Sequence, residues 1–432
     1  MCSHRCRTHV VVASLLTVAS GLHAQAAPPP AAISLPITFS GEVRSRTELD
    51  APGGALASDY FTMLRSRFGI RVDPAAGVSV VLQVQDSRVL GTEASAAAST
   101  LDVFDLHQGY LQLATPWNSA DLALRAGRQE IALGNERLVG ASNWTNTGRT
   151  FDGARVTLAP KGAGGADRWS ATSFAAIVEE NGRRFGAVAT GVTPPPDHFV
   201  AGAYASVGAA QKLGADVTFL YDGGARYRTF ADADRTTLDL RLRAMPLGLR
   251  LDLEGATQSG SQRFVSSTGV RSAQSVRAWL LGARLGRTMG RGTITAGLDE
   301  LSGDDTPADG RYTAFSTMFG TNHPYYGLMD VIGDPASTTK DRGLRDVFGL
   351  GSYVVAPAFT PRVELHRFTL ATGDERALGA EADVVAPIKL PAGTSVELGY
   401  SVFRAGRAAV PLGIGADGAN RRWLYAQLRA GF

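Results

Sequence analysis

The sequence predicts an all-β fold: a transmembrane antiparallel β-barrel of about eighteen strands, with long extracellular loops and short periplasmic turns. Three observations predict it. Apolar and polar residues alternate with period two over many segments, those segments are joined alternately by long and short connections, and the last segment ends on an aromatic residue, Phe432. By length alone, 432 residues would suggest two or three ordinary domains. One closed sheet can absorb the whole chain.

In Ile37-Thr-Phe-Ser-Gly-Glu-Val-Arg-Ser-Arg46, Ile37, Phe39 and Val43 share one face, while Thr38, Ser40, Glu42, Arg44 and Arg46 share the other. Leu238–Arg243 and Leu249–Glu254 repeat the pattern. Only a strand places residues i, i+2 and i+4 together. A soluble sandwich also alternates, but here the charged and apolar faces persist for about ten residues at a time, the length of a tilted membrane strand. At the end of the chain Leu424, Ala426, Leu428, Ala430 and Phe432 fall on one face. This terminal pattern resembles the assembly signal of bacterial outer-membrane barrels, which implies the barrel-assembly machinery and outer-membrane lipid as partners.

The strands are placed at 34–47, 59–72, 78–88, 105–114, 120–131, 150–158, 168–178, 199–207, 213–222, 234–244, 247–258, 275–286, 292–301, 345–355, 361–371, 378–386, 394–403 and 423–432. An even number puts both termini on one side, the periplasmic one. Connections after even strands are short and rich in turn formers, such as Asp73-Pro74 and Pro391-Ala-Gly393. Those after odd strands are longer: 89–104, 132–149, 179–198, 259–274 and 302–344.

Residues 1–26 read as a cleaved signal peptide. Arg5 and Arg7 precede an apolar run from His9 to Leu22, and small residues follow around Ala24-Gln25-Ala26. Both cysteines, Cys2 and Cys6, lie in this leader. Without them the mature part, 27–432, has no disulfide, cysteine metal site or thiol nucleophile. Losing Arg5 and Arg7 takes the net charge from +3 to +1, which gives no global attraction to nucleic acid. No cofactor motif is present, and Gly127 and Gly134 do not form a nucleotide loop because no helix follows them.

Charge is arranged rather than abundant. The inward face of the early strands carries Arg44, Arg46, Arg65, Arg67, Arg71, Arg125 and Arg155 against the lone acid Glu42. The late strands present Glu364, Glu381, Asp383 and Glu397, with Arg429 on the closing strand. The middle strands carry both signs: Arg235, Asp239, Arg241, Arg243, Arg250, Asp252 and Glu254. An arginine facing lipid near the midplane costs about 2–4 kcal/mol, so these side chains must face water. Opposed arcs of arginine and carboxylate would set a transverse field across the lumen. Ion pairs between neighbouring strands, which merely stiffen the wall, are the plainer account of any one pair. They do not explain Arg44, Arg46, Arg65 and Arg67, which repel one another on adjacent strands. The guanidinium fork suits carboxylate recognition and does not titrate away. The loop 302–344 could fold over or into the pore, and in it Asp304, Asp305 and Asp309 are weak candidates for calcium. The histidines show no metal-ligand spacing.

Three segments carry a more specific signal: Gln83-Val-Gln-Asp-Ser-Arg88, Asp105-Leu-His-Gln-Gly-Tyr-Leu-Gln-Leu113, and Leu124–Gly140 running on through Asn143-Trp-Thr-Asn-Thr-Gly-Arg-Thr-Phe-Asp-Gly-Ala-Arg155. With Leu301-Ser-Gly-Asp-Asp305, His323-Pro-Tyr-Tyr-Gly-Leu-Met-Asp330 and Gly343-Leu-Arg-Asp346, they resemble the alginate export family of outer-membrane porins. The resemblance implies an eighteen-stranded monomer whose basic lumen passes an anionic uronate polysaccharide. Family pore arginines map by motif to Arg125, Arg128, Arg137 and Arg155. The strand parity puts Arg125 and Arg155 inward and Arg128 outward. Three functions are therefore compared: an export porin for an anionic polysaccharide, an uptake porin for small anionic solutes or other nutrients, and a barrel enzyme. The last fares worst, since no Ser, His and Asp meet at an outer strand end.

Overall fold

The computed structural model describes residues 35–51, 58–91, 103–161, 169–179, 197–208, 213–225, 232–265, 271–306 and 309–432. The expected leader, 1–26, lies outside them. In chain order the strands are β1 (Ile37–Ala51), β2 (Asp59–Ala75), β3 (Val78–Leu90), β4 (Val103–Trp117), β5 (Ala120–Gln129), β6 (Phe151–Pro160), β7 (Trp169–Glu179), β8 (His198–Val207), β9 (Leu213–Ala225), β10 (Asp232–Ala244), β11 (Leu249–Val265), β12 (Arg271–Met289), β13 (Gly292–Leu301), β14 (Arg311–Tyr312), β15 (Leu344–Tyr353), β16 (Arg362–Leu370), β17 (Ala377–Lys389), β18 (Thr394–Ala405) and β19 (Asn420–Gly431).

β14 is a two-residue piece lying parallel to β12. The other eighteen form an antiparallel meander in which β13 pairs with β15 and β1 pairs with β19, so the sheet closes on itself. Closure satisfies every strand's backbone groups and leaves no edge, the condition for a sheet to cross lipid. At the seam Arg44 lies opposite Arg429, and the Phe432 ring lies over Gly41, where a Cβ would collide with it. The Gly41 amide donates to the Phe432 carbonyl at 3.0 Å.

Alternation sorts each strand into two faces. Outward residues such as Val43 (51% exposed), Leu82 (52%) and Leu365 (55%) form an apolar belt around the wall. Their neighbours point inward. Connections at the end holding the termini are brief: 76–77, 118–119 and 290–291. Gly77 (φ 76°) and Gly290 (φ 58°) take left-handed conformations there that glycine adopts without strain. The opposite end carries the long connections, and is called the loop end below.

Two findings depart from the sequence reading. The expected loop 259–274 is mostly strand, since β11 and β12 stay paired from Ser261↔Ser275 to Val265↔Arg271. The polar residues there end the apolar alternation but not the hydrogen-bonded ladder. Secondly, the segment 130–150, expected as an outer loop, turns into the barrel, where it meets the described residues of the loop 302–344. Ile131, Leu138, Val139, Phe315, Phe319, Tyr326, Leu328 and Ile332 pack with wall residues Phe151, Phe174, Val200, Leu220, Leu280, Leu301, Leu344, Phe368 and Phe403 in one buried cluster. Burying each large apolar side chain stabilises by about 1.5–3 kcal/mol, so the inward fold of these loops is strongly favoured. They also pair with each other: the Gly140 amide donates to the Phe319 carbonyl (2.9 Å) and the Phe319 amide to the Leu138 carbonyl (3.0 Å).

Candidate functional site

The inserted segment 130–150 is pinned at two places. Arg137, 1% exposed, donates to Glu254 of β11 (3.2 Å), to both oxygens of Asp299 of β13 (2.9 and 3.0 Å) and to the Tyr326 hydroxyl (3.0 Å). Its guanidinium lies 3.9 Å from the Tyr325 ring centroid. Burial opposes its charge, but Asp299, Tyr326 and Glu254 outweigh that and hold its pKa well above the ordinary value. β13 lies on the far side of the closed sheet from β5, so this contact ties the loop across the lumen. The resemblance had suggested Arg137 as a pore arginine. It is instead the lock that holds a loop.

The second pin is the arginine arc. Arg44 donates to the carbonyls of Asn143 (2.7 Å) and Thr145 (2.8 Å), and Arg46 to that of Trp144 (2.8 Å). Arg65 reaches the Asn143 and Thr145 carbonyls at 3.2 Å, and Arg67 the Asn143 side chain at 2.9 Å. Repulsion within the cluster is thus relieved partly by loop carbonyls. Carboxylates relieve the rest: Arg46 pairs with Glu48 (2.7 Å), and Glu42 is shared by Arg65 (2.6 Å) and Arg429 (2.8 Å).

Two cavities flank this pin. One, of about 590 Å³, is bordered by Arg44, Arg65, Arg67 and Arg429 against Glu42, Glu130 and Glu397. The other, of about 360 Å³ and nearer the loop end, is bordered by Arg46 and Arg421 against Glu48, Asp50 and Asp330. The first therefore carries one excess positive charge and the second one excess negative charge. Trp144 lines both. Its ring stacks on His323 at 3.9 Å and 7°, and the Arg46 guanidinium sits 3.8 Å from its centroid. Two groups that close cannot share one face, so Trp144 is sandwiched between them. Trp423 and Tyr425 of β19 meet it edge-on.

The other sequence candidates divide clearly. Arg125 and Arg155 face inward and are register partners across β5 and β6. Arg125 donates to Gln112 (2.8 Å) and covers the Tyr110 ring, and among the described residues Arg155 reaches only the Glu130 carbonyl (3.5 Å). Like charges directly opposite each other destabilise a sheet. Neither has a carboxylate partner among the described residues, and neither does Arg44. Arg241 pairs with Asp252, Arg243 with Asp216 (2.6 Å) and Arg235 with Asp222 (2.6 Å). There the wall-stiffening account applies. Arg250 is exposed beside the turn 245–248. Arg128 lies on the outer face, paired with Asp152 at 3.0 Å.

The late carboxylates do not oppose the arginine arc. Closure brings β16 to β18 beside β1 through β19, so the two arcs adjoin. Glu364 pairs with Arg362 (2.9 Å). Glu397 borders the larger cavity and accepts from the Tyr425 hydroxyl (2.8 Å). Glu381 (3% exposed) and Asp383 (0%) face inward but lie under the inserted loop, with Glu381 accepting the Met329 amide at 2.9 Å. In the loop, Asp304 and Asp309 cap turns by accepting the Thr306 and Arg311 amides. Asp305 lies in the same turn, and no group of three potential ligands able to hold a metal occurs among the described residues. Sequence reasoning singled out neither Trp144 nor His323 as a site residue, and it missed the inward fold of 130–150.

A family model described as alginate export matches residues 35–335. No curated protein matches. Among solved structures, OccK8 (OprE) of Pseudomonas aeruginosa is similar with a TM-score of 0.57 at 12% identity, covering 92% of this chain and 98% of that one. OccAB4 of Acinetobacter baumannii gives 0.58 at 10%, covering 93% and 100%. OpdK of Pseudomonas aeruginosa, solved with vanillate, gives 0.56 at 10%, covering 91% and 99%. At these identities the likeness is one of fold.

Proposed function

Because this chain belongs to the alginate export family, whose barrel is that of passive outer-membrane porins, we propose that it gives anion-favouring passage to a carboxylate-bearing solute. The cargo best matched to the family is an anionic, alginate-like polysaccharide threaded in single file. In this reading the long loops face outward and both termini lie in the periplasm, as short periplasmic turns require. The protein acts as a monomer without cofactor.

One observation carries the anion preference. Among the described residues, Arg44, Arg125 and Arg155 point inward with no carboxylate to answer them, and Arg125 faces Arg155 directly. Such an arrangement is unfavourable until a mobile anion visits, and guanidinium groups bind carboxylates with paired hydrogen bonds. A cluster of this kind serves passage better than wall strength.

A second reading is uptake of small carboxylates. It is favoured by the inserted segment tied through Arg137, beside which lie cavities of about 360 and 590 Å³. Those volumes lie in the range of small-molecule pockets, about 300–1,000 Å³. OpdK, similar in fold, was solved with vanillate, itself a carboxylate.

Planar-bilayer recordings under a salt gradient test both readings. Anion-selective current blocked by soluble polyuronate, and not by a neutral polysaccharide, supports the polymer. Anion current blocked only by small carboxylates supports uptake. Cation selectivity without block refutes both.

A further inference from the structure

The outer surface at the loop end carries a feature that transport does not use. On β16, β18 and β19 the outward positions are Val363, Leu365 and Arg367; Leu398, Tyr400, Val402 and Arg404; and Leu428, Leu424 and Arg422. Each strand is apolar along its outward face and then turns to arginine at the loop end. Strand register lines these arginines up. Arg367 and Arg404 are both partners of Ala380 on the intervening β17, and Arg422 is the partner of Val402, one step along the outward face from Arg404. Arg367 and Arg404 are therefore two strand spacings apart, about 10 Å. Arg404 and Arg422 are diagonal neighbours, about 7–8 Å apart. Arg345 of β15 extends the row, being one outward step from Val347, the partner of Arg367.

Arg345 is answered by Glu300 at 2.6 Å. Arg367, Arg404 and Arg422 are exposed and pair with no carboxylate among the described residues. The outward positions of β16 to β19 carry no acid at all, so the charge is not balanced within the wall. A row this close repels itself. It also borders the apolar belt, where Leu365 (55%) and Leu424 (47%) are exposed immediately beneath it. An arginine on the lipid face costs about 2–4 kcal/mol at the midplane but about 0–1 near the interface, so the row marks the membrane boundary. The groups found at such a boundary that suit the guanidinium fork are phosphates.

We propose that Arg367, Arg404 and Arg422, exposed in one register row above the apolar belt, bind the phosphate groups of a phosphorylated outer-leaflet glycolipid. The lipid's acyl chains would lie along Leu365, Val402 and Leu424. The proposal rests on the orientation given above, with the loop end outward.

The test uses the full mature barrel folded in detergent, with bisphosphorylated lipid A, the same lipid dephosphorylated, and inorganic phosphate as probes. Native mass spectrometry reads the bound lipid. The wild-type barrel retains lipid A, and R367Q/R404Q/R422Q lowers retention about tenfold or more, since three charge-assisted contacts are lost. R367K/R404K/R422K keeps most of it, which separates lost charge from a misfolded wall. Equal retention by the glutamine variant, or equal binding of the dephosphorylated lipid, overturns the proposal. Displacement of lipid A by millimolar inorganic phosphate also overturns it, because the row would then be a free-anion site. All three side chains face away from the lumen, so the current of the glutamine variant stays at the wild-type level. Selectivity thus tests the pore independently of the lipid.

Discussion

Replacing Arg137 by alanine tests whether the inserted loops define the channel. The side chain holds two buried carboxylates from neighbouring parts of the wall, Glu254 of β11 and Asp299 of β13, whose side chains are 1% and 0% exposed. Removing one partner of a buried ion pair costs about 3–5 kcal/mol, mostly for the charge left behind. Here the lower end applies. Arg284 still meets Asp299 at 2.7 Å, and Asn135 still donates to Glu254 at 3.0 Å. A loss of about 3 kcal/mol at 1.4 kcal/mol per tenfold raises the undocked population of segment 130–150 by about a hundredfold. The barrel itself remains, because its strand ladders do not pass through this residue. Single-channel recordings of R137A should show higher conductance and pronounced open-channel noise, with heat-modifiable mobility on gels confirming a closed barrel. A closed barrel with wild-type conductance and quiet current would refute the reasoning. It would mean that the apolar cluster around Phe315 and Phe319 alone holds the loops.

Further predictions follow from the same geometry. W144A removes the wall shared by the two cavities, so conductance rises and block by large solutes weakens; an unchanged blocker affinity would place the constriction elsewhere. R44Q/R125Q/R155Q removes the inward charges that lack carboxylates, and the reversal potential should move towards cation preference. R241Q/R243Q/D216N/D252N, which removes arginines together with the carboxylates that pair with them in the wall, should leave it nearly unchanged; equal shifts in both variants would show that pairing does not matter. G41V sets a side chain against the Phe432 ring and should slow closure of β1 on β19, seen as a smaller heat-modifiable fraction after refolding.

Much of this fold was legible because a membrane wall repeats one rule. Every strand must be apolar on one face, so the strands are found within a few residues of their expected places, apart from the hairpin of β11 and β12, which extends past its expected end. The inserted loops were less legible, although a trace is present. Ile131, Leu133, Leu138 and Val139, and later Tyr325, Tyr326, Leu328, Val331 and Ile332, are too apolar for connections bathed in water. Phe174, Phe368, Phe403 and Trp423 sit on the inward parity of their strands, where a wet lumen would not want them. Together these residues are the complementary halves of a core. The inward arginines were readable as a face, but their partners were not, because loop carbonyls leave no mark in a list of charged residues. The relation of the two charged arcs was hidden for another reason. A linear chain sets β1 and β18 far apart, and only the seam reveals them as near neighbours.

That seam has a consequence for how the protein comes into being. The larger cavity takes its border from Arg44, Arg65 and Arg67 near the start of the chain and from Glu397, Gln427 and Arg429 near its end. No partly inserted intermediate possesses it. The last strand to arrive completes both the wall and the charged border of this cavity, so a barrel that stalls before closing lacks that border altogether. Closing the wall and forming this cavity are a single event in this molecule.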